Sequence, residues 1–139
     1  LLDEFPRALL ERDDHSLGAL VAAVLERVAG DPTTTDIPLD ITGTAFQRRV
    51  WHALTRLAPG ETVSYGQLAR RLKAPTSTRA VARACATNGI AVLVPCHRVL
   101  GADGKMGGFS ANGGVSTKRR MLEIEGAAEV GAGPLFAAR

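Results

Sequence analysis

Asn88-Gly89-Ile90-Ala91-Val92-Leu93-Val94-Pro95-Cys96-His97-Arg98-Val99 is the stretch on which the fold turns. Ile90–Val94 is a continuous apolar run, too short for a helix of its own and bounded by Gly89 and Pro95. It reads as a buried strand or extended segment that delivers Pro95-Cys96-His97-Arg98 to its end. A thiol is a nucleophile only as thiolate, and a histidine beside it can hold its proton, as Cys96 and His97 would allow. Taken alone, the pair is more often a small buried hydrophobe next to a core histidine than a catalyst.

Upstream, Ser77 to Thr87 buries Val81, Ala84 and Cys85 on one helical face, and Asn88-Gly89 suits the positive backbone angles of a helix end. Before it, Ser64-Tyr65-Gly66-Gln67 has capping-box spacing and opens a short helix through Leu72, broken at Lys73-Ala74-Pro75. Two short helices joined by a tight turn suggest helix-turn-helix. Thr44 with Gln47 opens an earlier helix carrying Phe46, Val50, Trp51, Leu54 and Leu57, which Pro59-Gly60 stops. Leu17, Leu20, Val21, Val24, Leu25 and Val28 mark a first amphipathic helix ending at Gly30, and Asp31–Asp36 carries linker chemistry.

Downstream, Val99-Leu100, Gly101-Ala102-Asp103-Gly104 and Lys105-Met106 read as a hairpin with an Asp-Gly turn, the wing of a winged helix. Gly107–Gly114 is a glycine-rich loop without the lysine and spacing of a phosphate-cradling loop. Ser116 or Thr117 caps a last helix through Glu125, with Met121, Leu122 and Ile124 inward.

The chain has 139 residues, 45% of them hydrophobic, enough for one main core. Its 17 Lys+Arg against 14 Asp+Glu leave a net charge of +3, which permits nucleic-acid binding without demanding it. Arg48, Arg49, Arg70, Arg71, Lys105, Lys118, Arg119 and Arg120 are candidate phosphate contacts. Cys85 and Cys96 read as reduced thiols, and with the three histidines they reproduce no zinc-ligand spacing, so no metal site is expected. No stretch approaches the roughly 18 apolar residues of a membrane span. No signal-peptide pattern is present, and the expected location is cytoplasmic, close to the nucleoid.

The segment from Gly43 to Gly126, about three fifths of the chain, closely resembles the active-site domain of the O6-alkylguanine-DNA alkyltransferases, including the C-terminal domain of the bacterial Ada response proteins. The resemblance is carried by Pro95-Cys96-His97-Arg98-Val99 with Asn88 upstream, and by Thr44-Ala45-Phe46-Gln47, Val50-Trp51, Ser64-Tyr65, Arg79-Ala80-Val81 and Ile124-Glu125-Gly126. It implies an α+β, mainly helical fold: a winged helix-turn-helix-like active-site domain over 41–126. Residues 1–40 then look like the remnant of a truncated N-terminal α/β domain, and 127–139 like a mobile tail.

The resemblance further implies irreversible transfer of an alkyl group from O6 of guanine, and from O4 of thymine, to Cys96, without cofactor. In that reading His97 takes the thiol proton through water, oriented by Glu125. Tyr65 hydrogen-bonds the guanine ring nitrogen, and the backbone near Ser110 and Val99 holds the oxygen and exocyclic amine. Asn88 is the hinge bracing the helix end. Arg79 enters the base stack in place of the flipped nucleotide, with Ala80, Arg83 and Arg98 in the same DNA-facing set.

The implied partner is double-stranded DNA, bound by a monomer through the minor groove. This sequence departs from relatives in a longer loop after Ser110 and in Phe109, where some carry tyrosine. Two rivals stand beside this reading: a non-enzymatic alkylated-base sensor or winged-helix regulator, and a cysteine hydrolase using Cys96, His97 and Glu125.

Overall fold

The computed structural model describes residue 3, residues 5–31 and residues 36–127. It is mainly helical with one small sheet. The order is α1 (Gly18–Ala29), α2 (Ala45–Thr55), β1 (Val63–Ser64), α3 (Tyr65–Arg71), α4 (Thr78–Ala86), a 3-10 turn (Cys96–Arg98), β2 (Val99–Leu100) and α5 (Gly114–Ile124). No helix of the described residues is long and apolar enough to cross a membrane.

Both expected capping boxes form. Thr44 Oγ1 accepts from the Gln47 amide at 3.2 Å while the Thr44 amide donates to Gln47 Oε1 at 2.8 Å. Ser64 and Gln67 repeat the exchange at 3.0 and 2.7 Å at the start of α3. Each box satisfies backbone donors that the first helical turn would otherwise leave orphaned. The helices so started pack α2 and α3 against α4, enclosing Val50, Trp51, Leu54, Leu68, Val81, Ala84 and Cys85. Trp51 Nε1 donates to the Ala84 carbonyl at 2.8 Å, binding α2 to the last turn of α4. Gly43 makes room for the indole, since a Cβ there would lie 2.6 Å from the Trp51 ring.

Three expected elements take other forms. Ile90–Val94 is a succession of turns with Val92 at φ 74° and the Val94 amide donating to the Ile90 carbonyl at 3.0 Å. An extended run would carry Val94 about 20 Å from Asn88. The turns instead bring Val94 O within 2.8 Å of the Asn88 side-chain amide. The hairpin wing is not formed among the described residues. Val99-Leu100 pairs in parallel with Val63-Ser64, and residues 101–105 make only a turn closed by Gly101 N to Lys105 O at 2.8 Å. The last helix starts at Gly114, behind Gly113 in the left-handed conformation. Ser116 and Thr117 bond back to the carbonyls of Gly113 and Asn112 and do not cap it.

Helix α4 ends at Thr87, and neither Asn88 nor Gly89 takes a positive φ. Helix α1 ends at Gly30 with φ 84°, as expected. Its periodic face, however, is largely exposed: Leu17, Val21, Leu25 and Val28 are 45–61% accessible. Periodicity shows that a helix is amphipathic, not what covers it. The expected 127–139 tail falls outside the described residues from 128 on, as do residues 32–35 of the linker.

Replacing Trp51 by Phe removes the donor to the Ala84 carbonyl and leaves unfilled volume in the centre of the core. A loss of about 2–4 kcal/mol is expected in urea unfolding, and an unchanged midpoint would show that the α2–α4 bond carries no weight.

Candidate active site

Cys96 opens the 3-10 turn and is 6% exposed. Its sulfur accepts from the Asn88 side-chain amide at 3.2 Å, and the same Nδ2 donates to the Val94 carbonyl. Asn88 Oδ1 in turn accepts from the Ile90 amide at 3.0 Å. Asn88 therefore fixes the thiol, the run before it and the end of α4 with one side chain. Burial pushes the Cys96 thiol up, while the Asn88 amide and the Lys118 ammonium pull it down without cancelling that effect. A sulfur so placed needs a proton acceptor to become a nucleophile.

The next residue is a histidine. His97 is fully buried, and its Nε2 lies 2.8 Å from Glu125 Oε1. The Arg98 guanidinium grips the same carboxylate in a fork, Nε to Oε2 at 2.9 Å and Nη2 to Oε1 at 2.7 Å. Arg98 Nη1 donates to the Leu57 carbonyl, and the Gly60 amide reaches Glu125 Oε2 at 3.3 Å. Burial works to raise the Glu125 carboxyl, but its bonds to His97 and Arg98 and their charges hold it at about 2. An ionised Glu125 can only accept, so His97 Nε2 carries the proton in that bond, and Nδ1 is the ring nitrogen that the carboxylate does not engage. Nδ1 is buried and has no hydrogen-bond partner among the described residues.

A cavity of about 450 Å³ opens over the sulfur, with Tyr65, Ala82, Cys85 and Ala86 on one side and Gly107, Phe109 and Ser110 on the other. Tyr65 stands in the first turn of α3. Burial first, then the Cys85 and Cys96 charges, push its phenol to about 12, so it remains a hydrogen-bond donor at neutral pH. The loop closes directly on it: a Cβ at Gly107 would lie 2.8 Å from the Tyr65 hydroxyl oxygen, so only glycine fits there without displacement. Cys85, on the inner face of α4, is pushed to about 12 by burial and the Cys96 charge, and stays a neutral thiol.

The geometry brings Cys96, His97, Glu125, Tyr65 and Asn88 together, with Ser110 at the cavity wall. Arg79, Ala80 and Arg83 lie on the exposed face of α4, outside the cavity. Two expectations do not fit. Arg98 is only 9% exposed and is committed to Glu125 and Leu57, so it faces inward, away from any external ligand. Lys118 is fully buried and cannot reach a surface phosphate. Of the other proposed phosphate contacts, Arg49 donates to the Leu72 carbonyl, Arg71 pairs with Glu61, Lys105 with Asp103 and Arg120 with Glu123. Periodicity placed Cys85 on the buried face of its helix but did not disclose the burial of Lys118. Among the described residues no cluster of three or more His, Cys, Asp or Glu is placed to hold a metal ion.

Because Glu125 is held at about 2 against an ordinary 4.5, its bonds contribute stability that is complete above pH 4.5 and is lost as pH falls towards 2. Acid unfolding followed by circular dichroism should show a loss of up to about 3 kcal/mol across that window. Glu125→Gln should flatten the slope, and an identical slope in both proteins would remove Glu125 as its source.

Residues 45–127 match the family model described as 6-O-methylguanine DNA methyltransferase, DNA binding domain. The methylated-DNA--protein-cysteine methyltransferase of Mycobacterium tuberculosis is 50% identical over 97 residues, 70% of this chain and 58% of the relative. The bifunctional transcriptional activator/DNA repair enzyme Ada of Escherichia coli is 50% identical over 121 residues, 87% of this chain and 34% of that protein. Among solved structures, M. tuberculosis OGT in complex with DNA superimposes with a TM-score of 0.71 at 44% identity, covering 83% of this chain and 70% of that one. The chain thus spans less than two thirds of the mycobacterial sequence it matches, and it belongs to the 6-O-methylguanine DNA methyltransferase family.

Proposed function

We propose that this chain repairs DNA by taking the alkyl group of O6-alkylguanine onto Cys96, once per molecule. The observation that carries the reading is the Cys96 sulfur at the floor of a cavity, with the His97–Glu125 pair behind it and the Tyr65 phenol across from it. In the proposed reaction the Cys96 proton passes through water to His97, and the thiolate attacks the alkyl carbon in line with its bond to O6. The new C–S bond forms as the C–O6 bond breaks, and the electron pair leaves on guanine. Tyr65 donates a hydrogen bond to that growing charge, where donors fixed in advance are most effective. The proton released by the thiol is returned to the guanine. Atoms and charge balance without a cofactor, and a thioether has no good leaving path, so the protein is consumed.

The target must leave the duplex to enter the cavity, at a cost of roughly a few kcal/mol in stacking and pairing. Arg79 in the first turn of α4, with Ala80 and Arg83 on the same exposed face, is suited to approach the minor groove and fill the vacated stack. The small Ala82 and Ala86 on the cavity side leave room for the base. A structural neighbour, Schizosaccharomyces pombe Atl1 in complex with damaged DNA containing O6-carboxymethylguanine, matches at 27% identity and a TM-score of 0.54. Its likeness supports a damaged-guanine ligand and keeps a sensor without transfer as the outcome to test against.

Incubation with a methylguanine duplex should add one methyl mass, mapped to Cys96, and Cys96→Ser should abolish it. Binding without any adduct would favour the sensor, and an adduct on Cys85 would contradict its neutral, strongly raised thiol. Tyr65→Phe should slow single-turnover transfer roughly ten- to a thousandfold while leaving duplex affinity nearly unchanged, because the lost hydroxyl acts on charge that develops only in the transition state. An unaltered rate at saturating protein would reduce Tyr65 to packing.

A further inference from the structure

Gln47 makes one bond more than a capping box requires. The box uses only its Oε1, which accepts from the Thr44 amide at 2.8 Å. Its Nε2 donates at 3.0 Å to the hydroxyl of Thr87, 40 residues further along the chain. That hydroxyl closes the end of α4, donating to the carbonyls of Arg83 at 3.0 Å and Ala84 at 3.2 Å. The direction of each bond in this relay is fixed. A backbone amide can only donate and a carbonyl can only accept, so Gln47 presents oxygen to Thr44 and nitrogen to Thr87, whose own oxygen is left to receive it. Glutamate would close the box equally well, but it has no N–H to give Thr87. Gln67, the matching residue of the other box, makes no second bond among the described residues.

The relay ends where the support of the sulfur begins. Thr87 is followed directly by Asn88, whose backbone amide donates to the Cys85 carbonyl at 3.3 Å and whose side chain reaches the Cys96 sulfur and the Val94 carbonyl. The last turn of a helix carries carbonyls without intrahelical partners and frays readily. Here the Ala84 carbonyl receives two donors, Trp51 Nε1 from the core and the Thr87 hydroxyl from the surface.

We propose that Gln47 is a positioning residue for Cys96: through Thr87 it pins the end of α4, and with it the Asn88 side chain that holds the sulfur. This role rests on the reading of Cys96 as alkyl acceptor and extends it back to the start of α2. The Gln47–Thr87 bond lies at the surface, where water competes for both partners, so its weight is that of one ordinary hydrogen bond. When it is lost, the last turn of α4 loosens and Asn88 moves with it. The Asn88 amide favours the thiolate of Cys96, so its displacement leaves the sulfur holding its proton to higher pH.

Carbamidomethylation of Cys96 by iodoacetamide, located by peptide mass and followed against pH, tests this role. It needs neither DNA nor alkylguanine, so its outcome is separate from that of the methyl-transfer experiment. Gln47→Glu keeps the box and adds a charge favourable to a helix start, so its urea midpoint should hold or rise. Its Cys96 rate at neutral pH should nevertheless fall roughly two- to tenfold, with the curve displaced to higher pH, the span that one hydrogen bond can impose. Thr87→Val breaks the same bond without adding charge and should lose at least as much, while Thr87→Ser should restore the rate. The double variant should be no slower than Thr87→Val alone, because both substitutions delete one shared bond. An unmoved curve in Gln47→Glu overturns the proposal whether or not Thr87→Val folds. Losses that multiply in the double variant, or a Thr87→Ser protein as slow as Thr87→Val, overturn it equally.

Discussion

The Glu125 carboxylate is the interaction on which the site depends. It receives His97 and Arg98 from the turn and the Gly60 amide from the loop after α2, while Arg98 reaches on to the Leu57 carbonyl. Chain segments up to 65 residues apart are therefore gathered on two oxygen atoms. Because the charges are buried, no partner can be withdrawn without leaving another uncompensated in a poorly solvated place. The histidine is oriented as a consequence of this neutralisation. The same carboxylate that anchors α5 also fixes which nitrogen of His97 is free to accept a proton.

On the opposite side of the sulfur, order comes from neutral hydrogen bonds. Asn88 holds the end of α4, the turns of 90–94 and the Cys96 thiol together, and Trp51 secures that helix end to α2 through Ala84. The helices thus meet at an irregular segment carrying Cys96, whose position is determined at both ends. Tyr65 is placed by its own helix start, where the Ser64–Gln67 exchange sets the direction of α3. The loop from Gly107 then approaches as closely as a missing side chain allows.

What the sequence disclosed follows the range of the interactions. Both capping boxes are settled within three residues, so Thr44–Gln47 and Ser64–Gln67 are legible in the chain itself. The resemblance centred on Pro95–Val99 also marked Cys96, His97, Asn88 and Glu125, which the fold does assemble. The parallel pairing of Val63 with Val99 was not legible, because nothing in either two-residue strand names its partner. Ile90–Val94 misled for the same reason: apolar character marks burial, while the turns answer to Asn88. Lys118 was read as a candidate phosphate contact, because the sequence does not show which face it occupies. Its true surroundings are set by α5 packing on the turn and by a bond to Val99, 19 residues earlier, a tertiary fact.

The Gly60–Glu125 bond has a consequence for how the molecule comes to exist. Helices α2, α3 and α4 adjoin one another along the chain, so they can associate early with little loop entropy to overcome. The carboxylate arrives last: during synthesis every other member of the site has emerged before residue 125. Until that residue closes the long loop back to Gly60, Arg98 lacks its counter-charge and the His97 ring lacks the bond that orients it. Formation of the ion-paired cluster beside the Cys96 turn is thereby coupled to the contact between residues 60 and 125.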